Sequence, residues 1–228
     1  LYADLQFRHI THTIAGVNDN YDPTISAMQR LDIDRNYNFL NPKLGLYYTP
    51  NDHHALYISA AVGQKEPTRN NFTDIREGEY PTAEQMLDLE GGYTLKSKVV
   101  TANINLYYML YHNQLVATGM VNDGDDALNT NVDKSFRRGV ELMASWKTTK
   151  WLTLSANATL SENKIRDYVD MLKDSPTYGE NLGTMTISYS PSVVGSLIAD
   201  FHVKGFSAQW HTQYVGKQYF TNNEVEAL

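Results

Sequence analysis

The chain of 228 residues contains no cysteine. Disulfides, thiol nucleophiles and cysteine-ligated metal sites are therefore excluded. The sequence also lacks the GxGxxG, GxxxxGK[ST], HExxH and GxSxG patterns, by which nucleotide-binding proteins, zinc proteases and serine hydrolases are recognised. We therefore predict that the chain is not an enzyme and carries no cofactor.

Long hydrophobic runs and an excess of positive charge are also missing. No stretch approaches the ~18 uninterrupted apolar residues of a membrane helix. A net charge of −7 does not provide the basic surface that nucleic acid requires, so no nucleic-acid partner is expected. The mean hydropathy of −0.45 resembles that of a soluble protein, but a transmembrane β-barrel has a similar average because its lipid-facing and lumen-facing residues alternate.

What the sequence does contain is strict alternation, which is clearest in residues 139–161. One set of alternate positions is apolar: Val140, Leu142, Ala144 and Trp146, then Leu152, Leu154, Ala156, Ala158 and Leu160. The residues between them are mostly polar. Since successive side chains of a strand point to opposite faces, this segment is predicted to be a hairpin with one apolar and one polar face.

About nine such strands can be predicted along the chain. They cover Leu1–Thr13, Ile33–Tyr48, a strand led by Leu56, Leu87–Leu95, Val100–Leu110, the two strands of the hairpin, Val193–Val203 and Phe206 to about Tyr219. Short turns at 49–54, 96–98, 148–150 and 204–205 alternate with long polar connections at 15–32, 65–82, 116–135 and 166–184. This alternation predicts an antiparallel up-and-down transmembrane β-barrel with long extracellular loops and short periplasmic turns.

The two faces of the strands support a barrel but do not exclude a soluble protein. The apolar face has no charged residue in the best strands, as lipid requires, but a soluble core would require the same. Polar residues at strand centres, among them Asn103, Asn105 and Glu141, are typical of a wet lumen. A soluble or surface-attached all-β module that binds a ligand or glycan is the alternative.

Closure of the sheet leads to a further expectation. A sheet of nine strands with two unpaired edge strands is not stable in lipid, since unpaired backbone groups there cost several kcal/mol each. The chain also begins at Leu1 directly on a strand pattern, without a signal peptide. Residues 1–228 are therefore expected to be an interior or C-terminal part of a longer barrel.

Several segments resemble the barrel of TonB-dependent outer-membrane receptors, especially those of Bacteroidetes-like bacteria. These segments are NPKLGLYY (41–48), EPTRNNFTD (66–74), PTAEQMLDLEGGYTL (81–95), FRRGVELMASWKTTKWLTLSANATLSENKI (136–165), SPSVVGS (190–196) and QYVGKQY (213–219). They span nearly the whole chain, and they mark strands and turns rather than a ligand pocket.

The resemblance implies a barrel of about 22 strands in a Gram-negative outer membrane, with a plug domain inside it. It also implies TonB-coupled import of a scarce ligand such as siderophore-iron, haem, cobalamin or a glycan. The expected partners are outer-membrane lipid, the plug of the same parent chain, the TonB complex through an N-terminal segment, and the small ligand. The plug and the final strands would be absent from residues 1–228. A plug-free porin-like barrel remains an alternative.

Six residues are candidates for ligand binding at the extracellular mouth or in the lumen: Arg69, Arg76, Tyr80, Tyr111, Arg137 and Tyr178. The arginines, like Arg138 beside them, would guide an anionic ligand, or they would pair with neighbouring carboxylates such as Glu66. The tyrosines would stack on a sugar or an aromatic ligand. Both interpretations of the arginines are open at this stage.

No metal site is predicted. His9 and His12 are three residues apart, which places them on opposite faces of a strand. His202 and His211 should face the lumen from paired strands and could meet there. The acidic run at residues 123–126 lacks the ligand spacing of a calcium loop, since Ala127 takes a ligand position and no glutamate follows at the required distance.

Overall fold

The computed structural model describes residues 1–22, 26–73, 80–121 and 127–224. In these residues it contains ten strands and one short helix. The elements are β1 (Tyr2–Asp22), β2 (Ala27–Asn51), β3 (His54–Lys65), α1 (Arg69–Thr73), β4 (Glu84–Lys96), β5 (Val100–Val121), β6 (Ala127–Lys147), β7 (Leu152–Arg166), β8 (Met185–Thr186), β9 (Val193–Val203) and β10 (Phe206–Val215).

The strands form one antiparallel sheet. Its order is β1-β2-β3-β4-β5-β6-β7-β9-β10, and the two-residue strand β8 pairs only with β7. Each long strand therefore lies beside its neighbours in sequence, with no Greek-key crossover of the kind that builds sandwiches. The up-and-down order and the fold class predicted from the sequence are confirmed, and the soluble sandwich is excluded.

Two of the predicted long connections are instead mostly strand. Residues 15–32 belong largely to β1 and β2, and residues 116–135 belong largely to β5 and β6. The apolar alternation fades there, but the ladder continues through register shifts between Val17 and Tyr21 and between Ala117 and Val121. Backbone pairing does not require apolar side chains, so the pattern ended before the strands did. The last strand differs in the opposite direction: β10 ends at Val215, which is earlier than the predicted end near Tyr219.

The short turns carry the residues that turns require. Ser97 Oγ accepts hydrogen bonds from the backbone N–H groups of Val99 and Val100 at 3.4 and 3.0 Å, and Thr149 Oγ1 accepts one from Leu152 at 3.0 Å. Hydroxyl side chains that satisfy the backbone in this way favour tight turns. The last turn is Lys204–Gly205, with Lys204 at φ 54°, as a two-residue hairpin demands.

One face of the sheet is apolar and exposed to solvent. It includes Phe7 (66% exposed), Leu44 (55%), Ile58 (62%), Leu106 (54%), Leu142 (42%), Leu160 (49%) and Trp210 (58%). An exposed apolar surface that crosses nine strands far exceeds what a soluble monomer shows. We call it the outer face, and the opposite polar face the inner face.

The apolar band of the outer face has two clear borders in the hairpin of β6 and β7. At the turn end, the rings of Trp151 and Phe201 stack at 6.2 Å. At the loop end, Arg138 and Glu162 form an ion pair with Nε to Oε2 at 2.7 Å. Between Leu152 and Leu160 a strand rises about 27 Å along its own direction, or roughly 20 Å along the axis of a tilted barrel. That height fits the hydrocarbon layer.

Buried side chains are concentrated at the loop end. One cluster consists of Val116, Val132, Ile165, Tyr168 and Ile187, and the other consists of Ile14, Leu31, Ile33 and Phe72. Within the described residues there is no helix long and apolar enough to cross a membrane. Because of these two buried clusters, the loop end folds like a soluble domain, and the candidate site lies beneath it.

Candidate functional site

The inner face carries a cross-strand network of polar side chains. Tyr57 Oη donates to Asn105 Oδ1 at 2.6 Å, and Asn105 Nδ2 donates to Glu141 Oε2 at 3.2 Å. Further along the sheet, Asn157 donates to Ser196 at 2.7 Å. Because neighbouring strands lie about 4.8 Å apart, these side chains form rows across the sheet. The inner face therefore suits water or another polar surface and not lipid.

Carboxylates are prominent on this wall. Asp88 and Glu90 lie on β4, and Glu141 lies on β6 two strands away. None of the three takes part in an ion pair within the described residues. Asp88 Oδ1 is buried and has no hydrogen-bond partner there. Lys43 stands in the same row, since it pairs with Ala61 and Ala61 pairs with Asp88. One cation therefore offsets part of the negative charge of this wall, and the rest is left for another group to compensate.

Tyr111 and Arg137 are brought together on the inner face. The Arg137 guanidinium lies 5.9 Å from the centre of the Tyr111 ring, and its Nη1 donates to Ser190 Oγ at 3.4 Å. No carboxylate pairs with Arg137 among the described residues. A half-buried guanidinium with neutral neighbours keeps its capacity to bind an anion.

The neighbouring Arg138 points to the outer face. It pairs with Glu162, and it also lies over the ring of Phe136 at 5.4 Å. Glu66 is also part of an ion pair, since its Oε2 accepts a hydrogen bond from Arg8 Nη2 at 2.7 Å. Of the two interpretations of the mouth charges, pairing with an opposite charge therefore holds for Arg138 and Glu66, whereas Arg137 has no carboxylate partner among the described residues.

The other predicted site residues are spread over the loop end. Arg69 is exposed on α1. The ring of Tyr80 packs at 6.4 Å from that of Phe72, and the Arg35 guanidinium lies 5.2 Å from it on another side. Tyr178 is 56% exposed in the loop after β7. Arg76 lies outside the described residues, as does the acidic run at 123–126.

The histidines form no metal centre in the described part of the chain, where no group of three possible ligands occurs. His9 hydrogen-bonds Asn38 at 2.7 Å, and His12 contacts the edge of Phe72 at 5.1 Å, so the two lie on opposite faces as predicted. His202 and His211 could have met across the ladder but do not, because His202 is paired with Ser207 and His211 with Ile198. Four strand positions separate them on the same face.

A buried polar network organises the loop after β7, and no sequence pattern indicated it. Asp170 is 1% exposed and accepts hydrogen bonds from Thr177 Oγ1 at 2.7 Å, from the Leu172 N–H at 3.1 Å and from Asn223 Nδ2 at 3.2 Å. Asn222 joins the same region to β5 by donating to the Ala117 carbonyl at 2.6 Å. These partners are up to 105 residues apart, so no local pattern could indicate them.

These contacts shift the acidity of two carboxyl groups. Burial alone would raise the pKa of Asp170, but hydrogen bonds from Ser175, Thr177, Leu172 and Asn223 outweigh it and hold that pKa below its usual value. Burial would also raise the pKa of Glu224, but the hydrogen bonds from Thr186 and Lys164 and the charge of Lys164 outweigh burial and lower that pKa. Both carboxylates therefore act as charged structural acceptors at neutral pH.

Comparison with known proteins gives one consistent result. A family model described as "TonB dependent receptor-like, beta-barrel" matches residues 3–227. No curated protein sequence matches the chain.

Similar solved structures include one transporter and two receptors. They are the copper transporter OprC (TM-score 0.72, 13% identity, 93% of this chain and 32% of that one), the siderophore receptor PiuA from Acinetobacter baumannii (0.70, 14%, 95% and 31%) and the ferric yersiniabactin uptake receptor FyuA from Yersinia pestis (0.65, 16%, 87% and 29%). At these identities the likeness establishes the fold. The chain spans 29% of the length of FyuA and 31% of the length of the ferric-catecholate import receptor Fiu.

Proposed function

Because this chain belongs to the TonB-dependent receptor β-barrel family, we propose that its parent protein imports a scarce ligand across the outer membrane with TonB-coupled energy. The family consists of outer-membrane receptors and not of enzymes, so the outer-membrane location and the non-enzymatic assignment follow from membership. The observation that carries the proposal is the family match over residues 3–227, joined to a sheet whose outer face is apolar and whose inner face is polar.

The inner wall supports a plug domain as the partner of this sheet. Asp88, Glu90 and Glu141 form no ion pair among the described residues. Lys43 is one cation in the row of Asp88, so three carboxylates are only partly compensated, which is costly where water is limited. We infer that a domain inside the barrel supplies cationic side chains to them. A plug-free porin-like barrel would leave these groups to water alone.

The edges of the sheet support a longer barrel. Within the part of the chain that the structure describes, strands β1 and β10 each have a neighbour on one side only, and all ten residues of β10 are exposed. Within lipid every backbone group must be paired. We infer that residues 1–228 form part of a barrel whose other strands close these edges.

Arg137 supports an anionic ligand, with Tyr111 beside it for a planar group. Charge-assisted hydrogen bonds contribute about 1.5–3 kcal/mol, and a guanidinium prefers carboxylate, catecholate or phosphate oxygens because it presents paired donors. Ferric catecholate siderophores and haem carry several such anionic oxygens and cobalamin carries one phosphodiester, whereas neutral glycans carry none. Among the ligands that the family suggests, an anionic metal chelate is therefore the best fit to this wall.

Ligand binding to the purified full-length parent protein tests the proposal. The panel consists of a ferric catecholate siderophore, a ferric hydroxamate siderophore, haem, cobalamin and a maltooligosaccharide. We expect an anionic chelate to bind, and Arg137→Gln to weaken that binding about 10–100-fold. Arg138→Gln is the matched control, since it removes the same group one residue away on the outer face, and binding should change less than twofold.

Uptake in cells tests the coupling to TonB. Import of the bound ligand should stop when TonB is deleted and should fall with Arg137→Gln. Passive flux that is independent of TonB would contradict the receptor and favour the porin-like alternative. Equal effects of the two arginine substitutions would contradict the assignment of Arg137 to the ligand, but not the receptor itself.

A further inference from the structure

The four short turns carry an unusual concentration of one charge. Residues 49–55, 95–100, 147–152 and 203–206, which we call the turn rim, contain Lys96, Lys98, Lys147, Lys150 and Lys204 but only one acidic residue, Asp52. The net charge of the rim is thus +4, in a chain whose net charge is −7. The rest of the chain therefore carries −11, and charge is strongly separated along the barrel axis.

The five lysines of the rim are exposed and unpaired. All of them are exposed to solvent, and none joins an ion pair within the described residues. At the loop end, by contrast, Lys134 lies 3.8 Å from Asp133 and Lys164 lies 3.3 Å from Glu224. The positive charge of the rim is therefore not used to stabilise this sheet.

The lysines form one continuous arc. Their three turns join β4 to β5, β6 to β7 and β9 to β10, and these strands are consecutive in the sheet. At about 4.8 Å per strand, the arc from β5 to β10 covers roughly 20 Å of the barrel circumference. Lys98, Lys150 and Lys204 lie at the turns themselves, and Lys96 and Lys147 end the strands.

The outer face next to the arc is built for lipid. Trp146 (52% exposed) directly precedes Lys147, and Trp151 (46% exposed) directly follows Lys150. The ring of Trp151 stacks on that of Phe201. Tyr93 Oη hydrogen-bonds His54 Nδ1 at 2.7 Å at the same level of the sheet. Indole and phenol rings prefer the border between hydrocarbon and headgroups. The lysine stems are long enough to reach headgroups at that border.

An apolar groove begins just inside the rim. Its volume is about 380 Å³, and its outer-face lining includes Leu95, Ala102, Leu142, Ala144, Ala156 and Ala158. Alanines of three adjacent strands form its floor, since Ala102 pairs with Ala144 and Ala144 with Ala156. The groove lies within the apolar band and opens towards the hydrocarbon layer. It provides a place for an acyl chain whose headgroup lies at the lysines.

We propose that the turn rim binds anionic phospholipid of the periplasmic leaflet, with the headgroup phosphate at Lys98, Lys150 and Lys204 and an acyl chain along the alanine-floored groove. The rim is periplasmic because short turns of such barrels face the periplasm. A soluble acidic partner would be attracted by the lysines but would not use the aromatic belt or the groove. The proposal depends on the orientation of the barrel and not on which ligand is imported.

Native mass spectrometry of the full-length parent protein in neutral detergent tests the proposal. The protein is titrated with phosphatidylglycerol and with phosphatidylcholine of identical acyl chains. We expect the wild type to prefer phosphatidylglycerol, and salt to reduce the preference. Each lysine near an anionic lipid surface contributes about fivefold, so the triple variant Lys98→Gln, Lys150→Gln and Lys204→Gln should lower the preference at least tenfold.

A second triple variant controls for the charge itself. Lys65→Gln, Lys134→Gln and Lys173→Gln removes three exposed lysines at the loop end, and the preference should then change less than twofold. An unchanged preference in the rim variant would overturn the proposal. Equal losses in both triple variants would also overturn it, because binding would then follow net charge and not the rim.

Discussion

The turn half and the loop half of the same strands follow different rules. In the turn half, side chains alternate strictly: Leu142 and Ala158 are paired on the outer face, and Glu141 and Thr159 on the inner face. No buried cluster occurs there among the described residues. Stability in this half comes from the ladder and from lipid, which replaces the core that a soluble protein would need.

The loop half is built like a small soluble protein. Phe72 is fully buried against Ile14, Leu31 and Ile33, and Asp170 is buried with its hydrogen bonds satisfied. Non-glycine residues with positive φ, such as Asn113 and Asp167, occur here as well. Burial in this half is created by loops that fold onto the sheet and not by alternation.

One strand can therefore lie in lipid over part of its length and in water over the rest. Where one face of a strand meets lipid and the other meets water, apolar and polar residues must alternate. Beyond the membrane, the side chains are instead determined by contacts between residues that are distant in sequence. The two halves should therefore respond separately to mutation and to pH. A common response of both halves would show that they are not independent.

The largest expected effect is that of Phe72→Ala. Removal of a fully buried phenylalanine costs about 3–5 kcal/mol, and here the cost should fall on the cluster around α1. Hydrogen exchange of the full-length protein should show lost protection in the loop after β3, while the amides of β6 and β7 in the turn half keep theirs.

Phe7→Ala is the matched control for that prediction. It makes the same change on the outer face of β1, where Phe7 is 66% exposed and contacts lipid instead of a loop. Protection in the loop after β3 should stay as in the wild type. Loss of protection across the whole sheet with Phe72→Ala would mean that the two halves form one cooperative unit.

A smaller effect is expected from acid. The pKa of Asp170 is lower in the folded loop than in an unfolded chain, so its contribution is present above the unfolded value of about 4 and is lost as the pH falls through the folded value. Protection factors of the amides of Gly179 and Leu182, corrected for intrinsic exchange, should drop below about pH 4, while those of the turn half stay constant.

The variant Asp170→Asn separates titration from packing. It should weaken the loop at neutral pH by about 1–3 kcal/mol, since an amide replaces an acceptor for several donors, and it should abolish the acid dependence. A loop that still loses protection at the same pH in this variant would assign the effect to another carboxyl group, such as Glu224.

The turn half of the sheet could be predicted from the sequence, whereas most of the loop half could not. The hairpin at 139–161, the strand order and the faces of the turn half could be predicted because alternation has a period of two. The extensions of β1 and β5 and the bond from Asn222 to Ala117 could not, since long-range contacts leave no local pattern. At the candidate site, the alternation of a strand is enough to put Arg137 and Arg138 on opposite faces. Only the structure shows that Glu162 pairs with Arg138 and that Arg137 has no carboxylate partner among the described residues.

The apolar face of the turn half contacts lipid, and the other face contacts a wet lumen. Since this chain contributes no cysteine, spin labels on single cysteines introduced into the parent protein at 141–146 test this assignment in bilayers. We expect high oxygen accessibility at 142, 144 and 146, and preferential access of a water-soluble nickel chelate at 141, 143 and 145. Equal accessibility profiles at Leu142 and Met143 would instead show that both faces meet the same environment, and the assignment would then be wrong.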